Sequence, residues 1–494
     1  MERKHFFLQG KTYGLLAIAG LLSFASCAEG VDEESFDAGV RNAQLESPVI
    51  DKDCFSTITG TDGSESLKLA WDVVMGAGGY HCVIDIVDDP ANPVNVVDTI
   101  LDRPSLTFAK LEDTNYSVSV STMANVKLNN KASKEASVLA YSTLVQGIEI
   151  PEGQEISSFV ASNPVSSNEE YAYILKGGVT YQLDAPVDFG LNKITFRGDK
   201  LNPSTIIVGG NGCITTQAGL KVKFINFDCT AMSSKGLLLL SATPDQSLST
   251  ESLGYKADGA NQNGYVINDV VLFQACKVRN LPHGIIYGNK QPWSLRDFRI
   301  TDCIIQLDSE KGDTFINFYG ASGNNGLIKD MAIRNSTIYN IKNNSSNYFI
   351  RWSNSSNAQP KKIFGNSGNS ANYVIANCTF SKMMAGKDFA NNMANTNTIN
   401  CEIVNNIFYD VYRLQKFVQS QWKKTNNWGV NNNTIWGVTK SVDSTDKSKY
   451  ATEEDPLFAG PIDLALDFSQ TNVNFKAAGA MASEKKFGDP RWFE

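Results

Sequence analysis

Between Val271 and Trp436 one short pattern of apolar and polar positions recurs six times. The copies run Val271–Val278, Phe298–Ile305, Met331–Ile338, Tyr373–Phe380, Cys401–Phe408 and Trp428–Ile435. Each centres on a small residue: Cys276, Cys303, Ser336, Cys378, Asn406 or Asn433. Three residues before the centre stand Phe273, Ile300, Ile333, Ile375, Ile403 and Val430, and two residues after it Val278, Ile305, Ile338, Phe380, Phe408 and Ile435. Both columns are apolar yet five residues apart, and one flat strand of period two cannot bury both on one face. The pattern therefore predicts two strands joined by a bend. Asn335, Asn377, Asn405 and Asn432, each directly before its centre, suit a single left-handed residue at that bend. The centres are 27, 33, 42, 28 and 27 residues apart, a spacing that predicts stacked coils burying their apolar columns against each other. The expected fold is a parallel β-helix.

A second set of short apolar runs follows the repeats: Gly284–Gly288, Phe315–Tyr319, Phe349–Ser353 and Phe417–Gln421. Their alignment puts Ile316, Ile350 and Val418 in one inward column, with Phe318, Trp352 and Ser420 on the same face. Asn317, Arg351 and Gln419 then face outward, with Tyr319, Ser353 and Gln421 two residues on. Each coil is thus expected to have three strands. The loops at 289–296, 320–329, 354–371 and 421–427 carry Trp293, Lys361, Lys362, Trp422, Lys423 and Lys424. Aromatic faces stack on sugar rings, and Arg or Lys pairs with carboxylates. The candidate ligand residues are Asn317, Tyr319, Arg351, Gln419 and Trp422; Trp352, in the inward register, reads as core.

The pattern changes upstream. Leu67, Leu69 and Trp71 alternate, as do Tyr80, Cys82, Ile84 and Ile86, and then Tyr116, Val118 and Val120. Strands at this spacing predict a β-sandwich over 47–145, followed by the β-helix over 146–494. His81 lies between core positions and is expected to face solvent. Residues 28–46 are polar and acidic and read as a tether. Before them, Arg3, Lys4 and Lys11 precede the apolar run Leu15–Leu22, and small residues lead to Cys27, so residues 1–27 read as a signal peptide.

Composition narrows the function classes. A net charge of −8 and the lack of any basic run argue against nucleic acid as partner. Three histidines, His5, His81 and His283, leave little for His-based triads or multi-His zinc sites. The nine cysteines form no CxxC pair, and Cys276, Cys303 and Cys378 share one column, as stacked core residues would.

Several stretches resemble known families. The end of the signal peptide resembles the lipobox of bacterial lipoproteins, with Phe24 in place of the usual Leu; the resemblance implies acylation of Cys27. Ala28–Glu34 resembles the acidic tag of surface lipoproteins from Bacteroidetes. Trp71, Tyr80, Leu111 and Tyr116 resemble a fibronectin type III module, with Leu111 to Tyr116 as its tyrosine corner. Tyr171–Leu175, Val179–Tyr181 and Ile194–Gly198 resemble the opening coils of pectin-lyase-like, right-handed parallel β-helices. Asp455–Phe458 and Gly488–Trp492 resemble the closing segment of uncharacterised β-helix lipoproteins from glycan-utilisation loci. The resemblance implies an outer-membrane, lipid-anchored protein exposed at the cell surface. Its ligand would be an acidic, pectin-like polysaccharide, held in a cleft on the third sheet, and its partner a glycan transporter complex. Membrane contact would be through the lipid only.

An enzyme reading stands beside the binding one. A calcium-dependent polysaccharide lyase would use Arg351 as base, with calcium held by Asp297 and Asp330. These two head a column six residues before the centres that continues as Asn372, Asn400 and Asn427. That continuation favours a hydrogen-bonded ladder over a metal site, so no cofactor is expected. A pectate-lyase signature is missing, and His283-Gly284 follows Pro282 rather than forming the Gly-His-Gly segment of related hydrolases. A structural or adhesive surface protein is the third reading.

Overall fold

The computed structural model describes residues 39–493 except 61–64, 256–263, 311–313, 322–325, 343–347, 355–357, 369, 384–386, 388, 394–397, 412–425, 432 and 438–450. The described chain is dominated by strands, and it divides into two compact units, Met1–Leu144 and Val145–Glu494.

In the first unit the alternating runs form two antiparallel sheets. One holds Phe55–Thr59, Glu65–Ala70 and Ser105–Ala109; the other holds Val94–Leu101, Gly79–Ile86, Asn115–Met123 and Ser137–Ser142. Leu67, Leu69, Trp71, Tyr80, Cys82, Ile84, Tyr116, Val118 and Val120 are all buried in one cluster fed by both sheets. The Tyr116 hydroxyl accepts the Leu111 N–H at 3.1 Å, which pins the turn five residues upstream. The Leu111 side chain itself is exposed, so it is the backbone of this position that matters and not an apolar contact. His81 is partly exposed, with its ring nitrogen 2.7 Å from Asp98.

In the second unit three parallel sheets of eleven, ten and seven strands are visited in turn. A representative coil runs from Leu327–Arg334 on the first sheet to Thr337–Asn340 on the second and Ile350–Arg351 on the third. This is a β-helix-like stack. Phe273, Ile300, Ile333, Ile375, Ile403 and Val430 are register partners along the first sheet. Val278, Ile305, Ile338, Phe380, Phe408 and Ile435 are partners along the second.

The bend between them is left-handed in every described copy. φ is +50° at Ala275, +55° at Asp302, +48° at Asn335, +55° at Asn377 and +58° at Asn405. Asn reaches this region at less cost than most residues because its side chain bonds locally. Here Asn377 donates to Asn335 and Asn405 to Asn377, each at 3.2 Å, so one bend is tied to the next. The centre residue serves the adjacent amides. Ser336 Oγ accepts Cys303 N–H at 3.1 Å, Asn406 Oδ1 accepts Cys378 N–H at 2.9 Å, and Asn433 Oδ1 accepts Asn406 N–H at 3.1 Å. These groups would otherwise be buried amides without partners, at a cost of about 1–3 kcal/mol each. Cys276, Cys303 and Cys378 are buried. Burial pushes the thiols of Cys303 and Cys378 far above the ordinary cysteine range, which holds them neutral and away from metal chemistry.

Two features were not visible in the repeat pattern. The helix Ile156–Ser162 buries Ile156 and Val160 beside the first coil, and the Tyr173 hydroxyl donates to the Asn163 carbonyl at 2.6 Å. The C-terminal segment forms a strap: after Ala451–Glu453 pairs with Asn433–Trp436, the chain turns back along the outer face of the second sheet. Leu466, Val473 and Phe475 bury Ile304 and Tyr339, while Ala477 and Phe487 bury Ile407. Its last turn is fixed by fully buried Asp489, which accepts from Thr337 Oγ1 at 2.8 Å and pairs with Arg491. Arg491 also donates to the carbonyls of Asp302 and Cys303 at 2.9 and 2.7 Å.

Asn377→Val places a β-branched residue at positive φ and is expected to destabilise the second unit by about 2 kcal/mol, with Asn377→Gly milder. Urea unfolding followed by circular dichroism reads both, and an unchanged midpoint for the Val variant would contradict the role given to the bend. Arg491→Ala leaves Asp489 buried and unpaired, an expected loss of about 3 kcal/mol. Limited proteolysis should then cut the strap earlier than in the parent protein.

Candidate functional site

The third sheet presents an outward row one residue wide. Asp188, Thr215, Leu239, Tyr287, Asn317, Arg351 and Asn391 are successive register partners. Their neighbours Val187, Ile214, Leu238, Ile286, Ile316, Ile350 and Ala390 point inward and are buried. At about 4.8 Å per strand the row extends roughly 29 Å. Under it Phe349 stacks on Phe315 at 4.7 Å between ring centroids and packs tilted on Phe389 at 4.6 Å, which fixes the short strands that carry Asn317, Arg351 and Asn391.

Arg351 is the only cation of this row among the described residues. Its guanidinium lies 3.3 Å from the ring centroid of Tyr319 and 5.0 Å from that of Tyr348. Lys387 Nζ lies 5.8 Å from the Tyr348 centroid. Among the described residues, the buried Nε of Arg351 has no hydrogen-bond partner. Tyr319 is 47% exposed, and Asn317 Oδ1 accepts its backbone N–H at 3.0 Å, which holds the ring over the arginine. Three other arginines are paired with aspartate. Arg279 pairs with Asp228, Arg299 with Asp297 and Arg491 with Asp489. Arg351 is held by aromatic faces, so its charge is positioned but not neutralised by a carboxylate among the described residues. Such a group can pair with an incoming carboxylate or sulfate.

Of the residues singled out in the sequence, three are neighbours in the structure. Asn317, Tyr319 and Arg351 come together. The partner next to Arg351 is Asn391 and not a residue of 417–421, and Ala390 occupies the inward place expected for Val418. Gln419 and Trp422, with Lys423 and Lys424, lie outside the described residues. Ser353 turns inward and is buried, its N–H and Oγ both on the Gly326 carbonyl. Trp352 is fully buried, in keeping with its inward register. Trp293 is no platform: it opens the strand Trp293–Thr301, is fully buried, and donates from Nε1 to the Ser241 carbonyl at 2.8 Å. Lys361 and Lys362 sit on the short helix Pro360–Phe364, whose Ile363 and Phe364 are buried in the main core. Tyr348, Lys387 and Asn391 were missed. The recurrence Phe315-Ile-Asn317, Phe349-Ile-Arg351, Phe389-Ala-Asn391 carries the signal for Asn391, obscured by Ala in the middle of the third copy.

The acidic column lies elsewhere. Asp297 and Asp330 are register partners on the first sheet, and Arg351 is on the third. Asp297 accepts from Arg299 Nε at 3.0 Å, and Asp330 accepts from Lys329 Nζ at 2.6 Å. Asp330 Oδ1 also takes the backbone and side-chain N–H groups of Asn372 at 2.9 and 3.1 Å, and Asn400 donates to Asn372 Oδ1 at 3.0 Å. A bulge at Cys401 and Glu402 then makes Asn426, rather than Asn427, the partner of Asn400. From Asp330 to Asn400 the column is a ladder of hydrogen bonds. No group of three or more His, Cys, Asp or Glu side chains suited to a metal occurs among the described residues. A depression of about 290 Å³ between Glu170, Lys193, Lys221 and Asp269 is closed electrostatically, with Lys193 on Asp269 and Lys221 on Glu170, both at 2.9 Å.

Residues 1–185 match DUF4992, a domain of unknown function, and residues 179–341 match DUF4957, also a domain of unknown function. Each match spans less than half of the chain. No curated protein matches it. Cys27 and the segment before it lie outside the described residues, and no described helix is long and apolar enough to cross a membrane.

Asp330→Asn keeps an acceptor for Asn372 but leaves the nearly buried Lys329 without its carboxylate, an expected loss of about 1–3 kcal/mol, and Asp330→Ala should cost more. Calcium should shift the melting temperature of neither. A calcium-dependent rise in the parent that Asp330→Asn abolishes would reinstate the metal reading.

Proposed function

We propose that this chain is a lipid-anchored protein of the outer cell surface that binds an acidic polysaccharide along the third sheet of a pectin-lyase-like, right-handed β-helix. The first unit, read as a fibronectin type III-like β-sandwich, acts as a spacer between the acylated Cys27 and the β-helix. A glycan transporter complex is the partner to which the captured polysaccharide would pass. The observation that carries the reading is Arg351, a half-buried cation on the outward row with the rings of Tyr319 and Tyr348 against it and no carboxylate partner among the described residues. A uronate carboxylate supplies the missing anion, and Tyr319 offers part of an exposed ring beside it for a sugar face. Binding is favoured over lyase chemistry because Arg351 and the Asp297–Asp330 pair are on different sheets. The calcium-neutralised substrate of a lyase would need them together.

Affinity electrophoresis against neutral and acidic polysaccharides tests this directly. Retardation is expected on a uronate-containing glycan, and migration unchanged on every glycan would leave the binding reading without support. Arg351→Ala should weaken binding by about tenfold or more, and Arg351→Lys should recover only part of it, since a lysine loses the planar fork. Unsaturated uronate absorbance appearing on incubation with polygalacturonate and calcium would instead establish the lyase.

A further inference from the structure

We propose that Lys387 is a second anion contact beside Arg351, and that the pair selects a glycan with acidic groups on neighbouring sugars. The proposal rests on the reading of the third sheet as a polysaccharide site and names the ligand class within it. That class is a contiguous polyuronate, as distinct from a chain with one isolated acidic sugar.

The two cations share one aromatic ring. Arg351 Cζ lies 5.0 Å from the Tyr348 centroid and Lys387 Nζ 5.8 Å from the same point, so the charges are at most about 11 Å apart. Tyr348 and Arg351 are half-buried, and Lys387 is exposed. Among the described residues neither cation is paired with a carboxylate, although the chain carries a net charge of −8.

The backbone sets the direction in which the two charges are spaced. The N–H groups of Phe349 and Ile350 both donate to the Phe389 carbonyl at 3.0 Å. The segments leading to Arg351 and Asn391 therefore run side by side, with Tyr348 on one and Lys387 on the next. Arg351 and Lys387 thus belong to successive coils, and a ligand that meets both extends along the outward row. Tyr319 follows Asn317 on the coil before, its ring centroid 3.3 Å from the Arg351 guanidinium. The contact is built by three coils, about 10 Å of the stack.

The cations differ in what they demand of a ligand. Arg351 offers a planar fork oriented by the Tyr319 ring, which suits one carboxylate in a defined pose. Lys387 is a point charge on a flexible stem and serves an anion anywhere within its reach. Like charges at this separation repel, weakly in physiological salt and more strongly at low salt. A ligand with one anion satisfies Arg351 and leaves Lys387 to water. A polyuronate has a carboxylate on every sugar, so one extended chain meets both cations and relieves their repulsion.

Isothermal titration calorimetry of the intact protein with two probes tests this. One probe is tetragalacturonate, acidic at every sugar, and the other is a xylotriose carrying a single glucuronate. The parent should bind the first at least about tenfold more tightly, and Lys387→Ala should lose most of that preference and its dependence on salt. Lys387→Arg keeps the charge and should keep tetragalacturonate binding. Lys387 is exposed, so both variants should retain the parent's circular dichroism. Equal binding of tetragalacturonate by the parent and Lys387→Ala would overturn the proposal, as would an equal loss for both probes. If Arg351→Ala still weakens binding in that case, the polysaccharide reading stands without Lys387. If Arg351→Ala is also without effect, or the parent binds neither probe, both readings fall.

Discussion

The second unit depends on a single backbone constraint. Two apolar columns five residues apart face one core, which requires a sharp turn between them in every coil. One left-handed residue makes that turn, and the next side chain, pointing inward, accepts a neighbouring coil's amide where Ser or Asn is present. Where Cys stands instead, its Sγ lies 3.2–3.5 Å from carbonyl oxygens of its own and the preceding coil, a weak contact made by a residue of suitable size. The alternation of Cys, Ser and Asn is therefore one steric solution with three degrees of polar satisfaction. Once the bend is fixed, strand directions and register follow, because a slip by one residue would turn every apolar position outward.

The faces of the stack are then treated differently. The outer face of the second sheet is covered by the C-terminal strap, which is why Tyr339 and Ile407 can be apolar and buried there. On the first sheet the loop around Tyr255 and the helix Pro360–Phe364 meet over Arg296, whose guanidinium lies 5.1 Å from the Phe364 centroid. The segments that looked like cleft walls in sequence thus include core-packing elements. The third sheet keeps an outward row of polar and aromatic groups, carried by strands only two residues long at Asn317, Arg351 and Asn391.

Legibility followed repetition. The two columns were readable because parallel in-register stacking places equivalent residues at equivalent positions, and the structure pairs them as the alignment did. The third sheet was readable only where its apolar residues were large. Phe389-Ala-Asn391 went unrecognised, and a later run took its place in the alignment. Trp293 was taken for loop because its strand begins well upstream of the repeated motif, and the Asn427 assignment failed at a bulge no periodicity encodes. The strap was legible as a segment but not in its path, since Leu466, Val473 and Phe475 follow no period and find their partners more than a hundred residues away. In the candidate site, Arg351, Tyr319 and Asn317 came from strand alternation. Tyr348 and Lys387 did not, because they approach from loops whose direction the strands do not determine.

What separates Arg351 from Arg279 and Arg491 is the company it keeps. Two of the arginines that hold elements together are completed by an aspartate, Asp228 for Arg279 and Asp489 for Arg491, whereas Arg296 spends its donors on Asn268 and the Tyr255 hydroxyl. A carboxylate neutralises the charge and leaves little for a ligand, whereas an aromatic face orients a guanidinium and leaves its charge able to attract an anion. The cost of such an arrangement is modest at a half-buried surface position and would be severe in the core. The outward row places it where that cost is low and access is retained. The same reasoning weighs against Asp297 and Asp330 as ligand groups, because their oxygens are already engaged by Arg299, Lys329 and Asn372. Capacity for a new partner lies with the uncompensated charge, and between Asn317 and Asn391 that charge is positive.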